Sequence, residues 1–234
     1  MAFKETHLPC SDCGSSDALC INYDGSARCF SCNEYTRNYE KPTENTMPIV
    51  NNNNIRNDPA SFAQEGQYAA LKDRSITMET AKKYGVKVTF DNNGEIFKHI
   101  YPYYGESDVV ARKTRFVSSK GFSWQGLNNQ AGLFGMNLFR EGGKYITITE
   151  GECDAMAAYE LLGSKWPVVS IKSAATAERD IKDNLEYLES FDSVVIAFDM
   201  DKAGKEAARR VARLLRPSKA KIITLPEGYK DAND

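Results

Sequence analysis

Four cysteines, arranged as Cys10-x2-Cys13 and Cys29-x2-Cys32 with fifteen residues between the pairs, constrain the first forty residues more than any other feature of the chain. Each two-residue spacer closes a tight knuckle that turns both sulfurs toward one point. Four thiolates then complete a tetrahedron with no open position, the donor set of a structural zinc ion. A segment this short cannot bury enough apolar surface to fold alone, so metal binding supplies the missing free energy. Cys20 and His7 lie close enough in sequence to compete as ligands, but the four paired cysteines already satisfy the ion. Arg28 and the aromatic residues Tyr23, Phe30 and Tyr35 either stack on unpaired bases or form the small core of this ribbon.

The cysteines read as metal ligands only in a reducing compartment. No apolar run is long enough to span a bilayer and no secretory leader is visible at Met1-Ala2-Phe3-Lys4, so a cytoplasmic protein without membrane association is expected. The net charge of -2 argues against a histone-like binder but leaves local nucleic-acid contacts open.

Beyond the ribbon, Lys41 to Ala60 holds Pro42, Pro48, Pro59 and the run Asn51-Asn52-Asn53-Asn54. It has no apolar period and reads as a flexible linker. A helix is expected over Phe62 to Asp73, and a shorter one capped by Thr77 and ended by Gly85. Val86 to Phe90, Glu95 to Tyr104 and Val109 to Val117 are rich in β-branched and aromatic residues. The turn formers between them predict an antiparallel meander. After Gly142-Gly143 the pattern changes to strand, helix, strand, helix, with apolar strands at Tyr145 to Thr149, Val168 to Lys172, Val194 to Phe198 and Lys221 to Leu225. That alternation predicts a mostly parallel sheet covered by helices. The expected organisation is multidomain. A small all-β zinc ribbon (1–40) and a linker (41–60) precede an α+β subdomain (61–143) and an α/β subdomain (144–234).

Carboxylates gather at the ends of these strands. Ile146-Thr147-Ile148-Thr149-Glu150-Gly151-Glu152-Cys153-Asp154 delivers Glu150 at a strand's carboxyl end, where open α/β sheets place their ligands. Asp154 follows in the first turn of a helix. Val194-Val195-Ile196-Ala197-Phe198-Asp199-Met200-Asp201 places Asp199 and Asp201 two residues apart in extended chain, able to face one side. Asp231, just past the last strand, is a third candidate. Carboxylates brought together repel, and a hard divalent cation such as magnesium resolves that repulsion. From Val109 to Arg140 there is no acidic residue, while Arg112, Lys113, Arg115, Lys120 and Arg140 are present. Lys113 and Arg115 share one face of their strand and Arg112 the other. They hold phosphate or form a solvated strand face. Arg209, Arg210, Arg213 and Arg216 read as a solvated helix surface, with template binding as the rival.

Thr149-Glu150-Gly151-Glu152 and Phe198-Asp199-Met200-Asp201-Lys202-Ala203-Gly204 resemble the two signatures of the TOPRIM fold. With the zinc ribbon, the intervening β region, His7-Leu8-Pro9-Cys10, Gly132-Leu133-Phe134-Gly135 and Lys230-Asp231-Ala232-Asn233, the chain resembles the primase half of the bacteriophage primase-helicase family. That resemblance implies synthesis of short RNA primers from ribonucleoside triphosphates on single-stranded DNA, with a replicative helicase and a DNA polymerase as partners in the host-cell cytoplasm. It implies Glu150 as metal ligand or general base, Asp199, Asp201 and Asp231 as ligands of magnesium or manganese (two ions), with Asp201 also serving the chemistry, and Asp154 beside them toward nucleotide or template. Lys113, Arg115, Lys120 and Arg112 would contact nucleotide or template, with Lys113 also serving the chemistry. The family continues into a hexameric helicase. This chain carries no P-loop before Asp234, so it reads as a piece of a longer protein or as a stand-alone primase. The rivals are a non-catalytic recombination mediator and a metal-dependent nuclease. A topoisomerase would need a tyrosine-bearing domain for which there is no space.

Overall fold

The computed structural model describes residues 3–8, 10, 15, 17–31, 34–39 and 65–234. Cys13, Cys32 and the expected linker, Lys41 to Ala60, lie outside the described residues. The strands form three sheets of four.

The first sheet is antiparallel in chain order: β1 (Phe3–Leu8), β2 (Leu19–Asn22), β3 (Ala27–Cys29) and β4 (Tyr35–Thr36). Its core is small, built from Cys10, Leu19, Ile21, Ala27 and Cys29. Tyr23, Phe30 and Tyr35 are 74%, 55% and 54% exposed, so they are surface residues and not the core of this unit. Cys20 is packed and His7 is exposed.

The second sheet is the expected meander, β5 (Lys87–Phe90), β6 (Ile96–Tyr104) and β7 (Val109–Phe116), extended by β8 (Phe122–Gly126). Helix α1 (Met78–Lys83) precedes it, with the Thr77 hydroxyl accepting from Thr80 N–H. The helix expected over Phe62 to Asp73 is absent from its described part, which begins at residue 65. Gln67 instead bridges Val88 through two backbone hydrogen bonds of 2.9 Å, and only a 3-10 turn forms at Lys72–Arg74. Pairing with the sheet overrides a local helical pattern.

The third sheet is wholly parallel, in the order β10 (Val168–Ser170), β9 (Gly143–Thr149), β11 (Phe191–Ala197), β12 (Ala220–Ile222). Helices α2 (Glu152–Leu161), α3 (Ala177–Asp183), α4 (Leu185–Glu189) and α5 (Lys202–Ala212) alternate with its strands. Ile146, Ile148, Val194 and Ile196 belong to one core with Ile181, Leu188, Ala207 and Val211. Residues Met156 and Tyr159 of α2 join a second core with Leu71, Tyr84, Val88, Tyr101, Tyr103 and Phe134. That core crosses from the meander to the parallel sheet, so these two units are packed as one body. Phe134 of Gly132-Leu133-Phe134-Gly135 exchanges backbone hydrogen bonds with Ser170 at the edge of β10. On α5 the arginines point outward, Arg210 pairing with Glu178 at 2.7 Å, and Arg216 just beyond it with Glu189 at 2.7 Å.

Candidate active-site cleft

Parallel register decides where the carboxylates go. Thr149 lies beside Ala197, so Glu150 after β9 and Asp199 after β11 leave the sheet at the same end. The C-terminal segment joins them, because Met200 N–H donates to the Lys230 carbonyl at 2.7 Å. Asn233 anchors that segment through its amide to the Arg74 carbonyl at 2.7 Å. Asp201 also has a backbone partner. Its carboxylate caps α5 by accepting from Gly204 N–H at 2.7 Å. Gly204 is required there, since a Cβ would sit 2.3 Å from the Asp199 carbonyl oxygen. The helix can thus start directly beneath Asp199.

The charges in this cluster oppose one another. Burial, then the charges of Asp199 and Asp201, raises the Glu150 pKa, and Glu150 Oε2 is buried without a hydrogen-bond partner. Burial raises Asp199 as well, with Asp231 and Asp201 adding to it, while Lys230 at 3.3 Å pulls the other way. Asp154 is pushed up to about 8 by burial, by the charges of Asp231 and Asp199, and by a hydrogen bond shared with Asp231.

An ordinary aspartate ionises near pH 4 in the unfolded chain, whereas folded Asp154 keeps its proton to about 8. Between those values the folded state binds the extra proton, so stability falls as pH rises. In chelator-treated protein, Asp154→Asn should therefore raise Tm relative to the unsubstituted chain by a margin that widens from about pH 5 to about pH 8. A margin that does not vary with pH would show that Asp154 is ionised throughout.

Cations and aromatic rings share a cleft with the carboxylates. About 520 Å³ in volume, it is lined by Glu150, Asp154, Asp199 and Asp231 together with Lys113, Arg115 and Lys120. Lys113 does not lie on a solvated strand face. It is 7% exposed, bonded to Glu152 at 2.8 Å and to the Lys172 carbonyl at 2.8 Å, and it lies over the Phe122 ring. Arg115 lines the same cleft, and its Nε is buried without a hydrogen-bond partner. Arg112 lies on the other face of β7, where it meets Glu65 at 2.8 Å and Gln125, and it does not line the cleft. Arg140 borders a separate cavity. Arg74, Phe122, Trp124 and Lys172 line the cleft and were not singled out by sequence reasoning. Lys172 was detectable, since it follows an apolar strand of the parallel sheet at its carboxyl end, as Glu150 does.

Among the described residues no three His, Cys, Asp or Glu side chains are gathered tightly enough to hold a metal ion. The donor set nevertheless fits a hard divalent cation: desolvated carboxylates repel one another, and one buried carboxylate oxygen has no partner. In the ribbon, Ser31 N–H donates to Cys29 Sγ at 3.4 Å. Cys10 and Cys29 are both buried. Among the described residues no helix is long and apolar enough to cross a membrane.

Residues 147–234 match the Toprim-like family model. A DNA helicase/primase of Enterobacteria phage T3 is 32% identical over 97% of this chain, and the chain spans 40% of that relative's length. The crystal structure of the primase fragment of the bacteriophage T7 primase-helicase protein superposes with a TM-score of 0.66 at 32% identity, covering 99% of this chain and 93% of that one. A further bacteriophage T7 structure holds two primase domains with the lagging-strand DNA polymerase, an RNA/DNA hybrid and dTTP. It matches at 35% identity and a TM-score of 0.63, over 72% of this chain and 84% of that one.

Proposed function

Because the chain belongs to the primase part of the phage primase-helicase family, we propose that it is a DNA primase, joining ribonucleoside triphosphates on a single-stranded DNA template. The observation that carries this reading is the cleft itself, in which carboxylates, cations and aromatic rings line one space. The carboxylates suit divalent cations, and the cations suit the polyphosphate of a nucleotide.

In this proposal Glu150, Asp199 and Asp231 hold magnesium or manganese, with Asp154 beside them and Asp201 fixing the loop as a helix cap. A cation bound there supplies Lewis acidity toward a 3′-hydroxyl and charge neutralisation at a departing pyrophosphate. Glu150, its pKa raised, is placed to accept a proton from that hydroxyl if it is not itself occupied as a ligand. Lys113, Arg115 and Lys120 neutralise the triphosphate, with Lys113 oriented by Glu152 and Arg115 offering its unpartnered Nε. Arg112 is removed from this set, being paired on the opposite face of its strand.

The ribbon is proposed to carry one structural zinc on Cys10, Cys13, Cys29 and Cys32. Its exposed Tyr23, Phe30 and Tyr35, with Arg28 at 5.6 Å from the Phe30 ring centroid, would serve as a stacking surface for unpaired template bases. Residues 41–60 would tether this unit to 61–143 and 144–234, the two subdomains of the polymerase body. A replicative helicase and a DNA polymerase are the proposed partners, in the cytoplasm of an infected cell.

The test is incubation with single-stranded DNA, labelled ribonucleoside triphosphates and magnesium, followed by separation of products by length. Template-dependent oligoribonucleotides are expected. Cleavage of the DNA, or no product over a range of templates and either metal, would overturn the proposal.

A further inference from the structure

Lysine is rarely buried, and burying its charge is unfavourable unless a partner compensates. Two lysines are nevertheless buried against the cleft, Lys113 at 7% and Lys172 at 6% exposure. Each faces a buried carboxylate, Glu152 at 2.8 Å from Lys113 Nζ and Asp180 at 3.5 Å from Lys172 Nζ.

The two pairs are built differently. Glu152 also accepts from the Tyr103 hydroxyl at 2.5 Å, and Lys113 gives a second hydrogen to the Lys172 carbonyl. An ammonium has three donors, so Lys113 keeps one. Asp180 uses Oδ2 to accept from Lys172 N–H at 2.9 Å and from the Thr176 hydroxyl at 2.8 Å, while its Oδ1 makes no hydrogen bond. At 3.5 Å the Lys172 ammonium is attracted to Asp180 Oδ1 beyond good hydrogen-bond length, which leaves its donors for a ligand. The backbone of Lys172 is clamped on both sides, its N–H by Asp180 and its carbonyl by Lys113. A loop residue tied in this way carries its side chain to a defined place. That place is the end of β10, beside the strand end that delivers Glu150.

We propose that Lys172 is a further phosphate-binding residue of the cleft, acting beside Lys113, with Asp180 as its positioning residue. The inference rests on the reading of the cleft as a nucleotide site. Its ligand is the phosphate chain of a nucleoside triphosphate; a phosphate of the nucleic-acid backbone offers the same chemistry and is separated by experiment. A triphosphate is favoured because the cleft holds a carboxylate cluster, a cationic wall and aromatic rings within about 520 Å³.

The experiment measures binding of ATP with magnesium, and separately of a single-stranded DNA oligonucleotide, by the full chain. Lys172→Met should weaken ATP by about tenfold, the loss expected for one charge-assisted contact, with DNA affinity unchanged. Because that substitution leaves Asp180 buried without its counter-charge, the double variant Lys172→Met/Asp180→Asn removes both charges and keeps a side-chain oxygen to accept from the residue 172 backbone N–H. It should melt near the unsubstituted protein and show the same loss. Lys172→Arg should recover part of the affinity, which a purely structural role for the ammonium would not predict. Unchanged ATP affinity in a folded double variant would overturn the proposal, as would a loss confined to DNA. A protein that binds ATP through Lys172 but makes no oligoribonucleotide would refute the primase reading and leave this inference standing.

Discussion

Asp199→Asn should abolish nucleotide joining in a protein that folds normally and melts at or slightly above the unsubstituted chain. The carboxylate occupies the centre of the like-charged cluster. It raises the pKa values of both Glu150 and Asp154, and burial and its neighbours raise its own. Removing its charge relieves repulsion on both neighbours. Against this stands the loss of its ion pair with Lys230, whose side chain is 61% exposed. An exposed pair contributes at most about 1 kcal/mol, so the balance is near neutral or favourable. Activity should respond in the opposite direction. An amide is a weak ligand for a divalent cation, and loss of one preorganised electrostatic contact in a catalytic site costs about a hundredfold or more. Primer synthesis over a magnesium series, beside a thermal melt, checks both halves. Wild-type rates with an unchanged magnesium dependence would remove Asp199 from the metal site.

Cys29→Ser should release zinc and unfold the ribbon while the remainder of the chain stays folded. Cys29 is fully buried, in a core that among the described residues comprises five residues, two of them cysteines. Structural zinc contributes roughly 10–16 kcal/mol to the folding of comparable small domains at neutral pH, far more than so small a core provides. Serine is nearly isosteric but does not supply a thiolate. Elemental analysis should fall from one zinc per chain to near none, and amide exchange within residues 17–31 should become fast. Residues 65–234 have their own cores and should keep their protection. Primer initiation should drop with the loss of the ribbon. Full zinc retention by the variant would show that Cys29 is not a ligand.

Much of this chain is legible from local pattern. The strands of the parallel sheet and the meander were visible because a buried strand must be an apolar run bounded by turn formers, as in Ile146-Thr147-Ile148-Thr149 before Glu150-Gly151. The acidic residues at the strand ends could be located for the same reason, since a parallel sheet delivers its strand ends to one crevice. Gly204 was legible as part of a motif, though only the fold explains it, through its approach to the Asp199 carbonyl.

What tertiary structure alone decided was partnership. The alternation of β7 placed Lys113 and Arg115 on one face and Arg112 on the other. It did not say which face was buried, so the solvated reading of Lys113 stood until Glu152 and Lys172 were found against it. Asp201 was legible as an acidic residue near the strand end, and only the structure shows that it also caps α5. The segment before Lys72 has helical spacing, but non-local hydrogen bonds from Gln67 to Val88 hold its described part extended. Each of these outcomes depends on a contact between residues far apart in the chain. Hydrophobic period, turn chemistry and ligand spacing are local quantities and can be read along the sequence. Which charge meets which is settled only when the elements pack, because burial sets the cost of leaving a charge unpaired and so selects its partner.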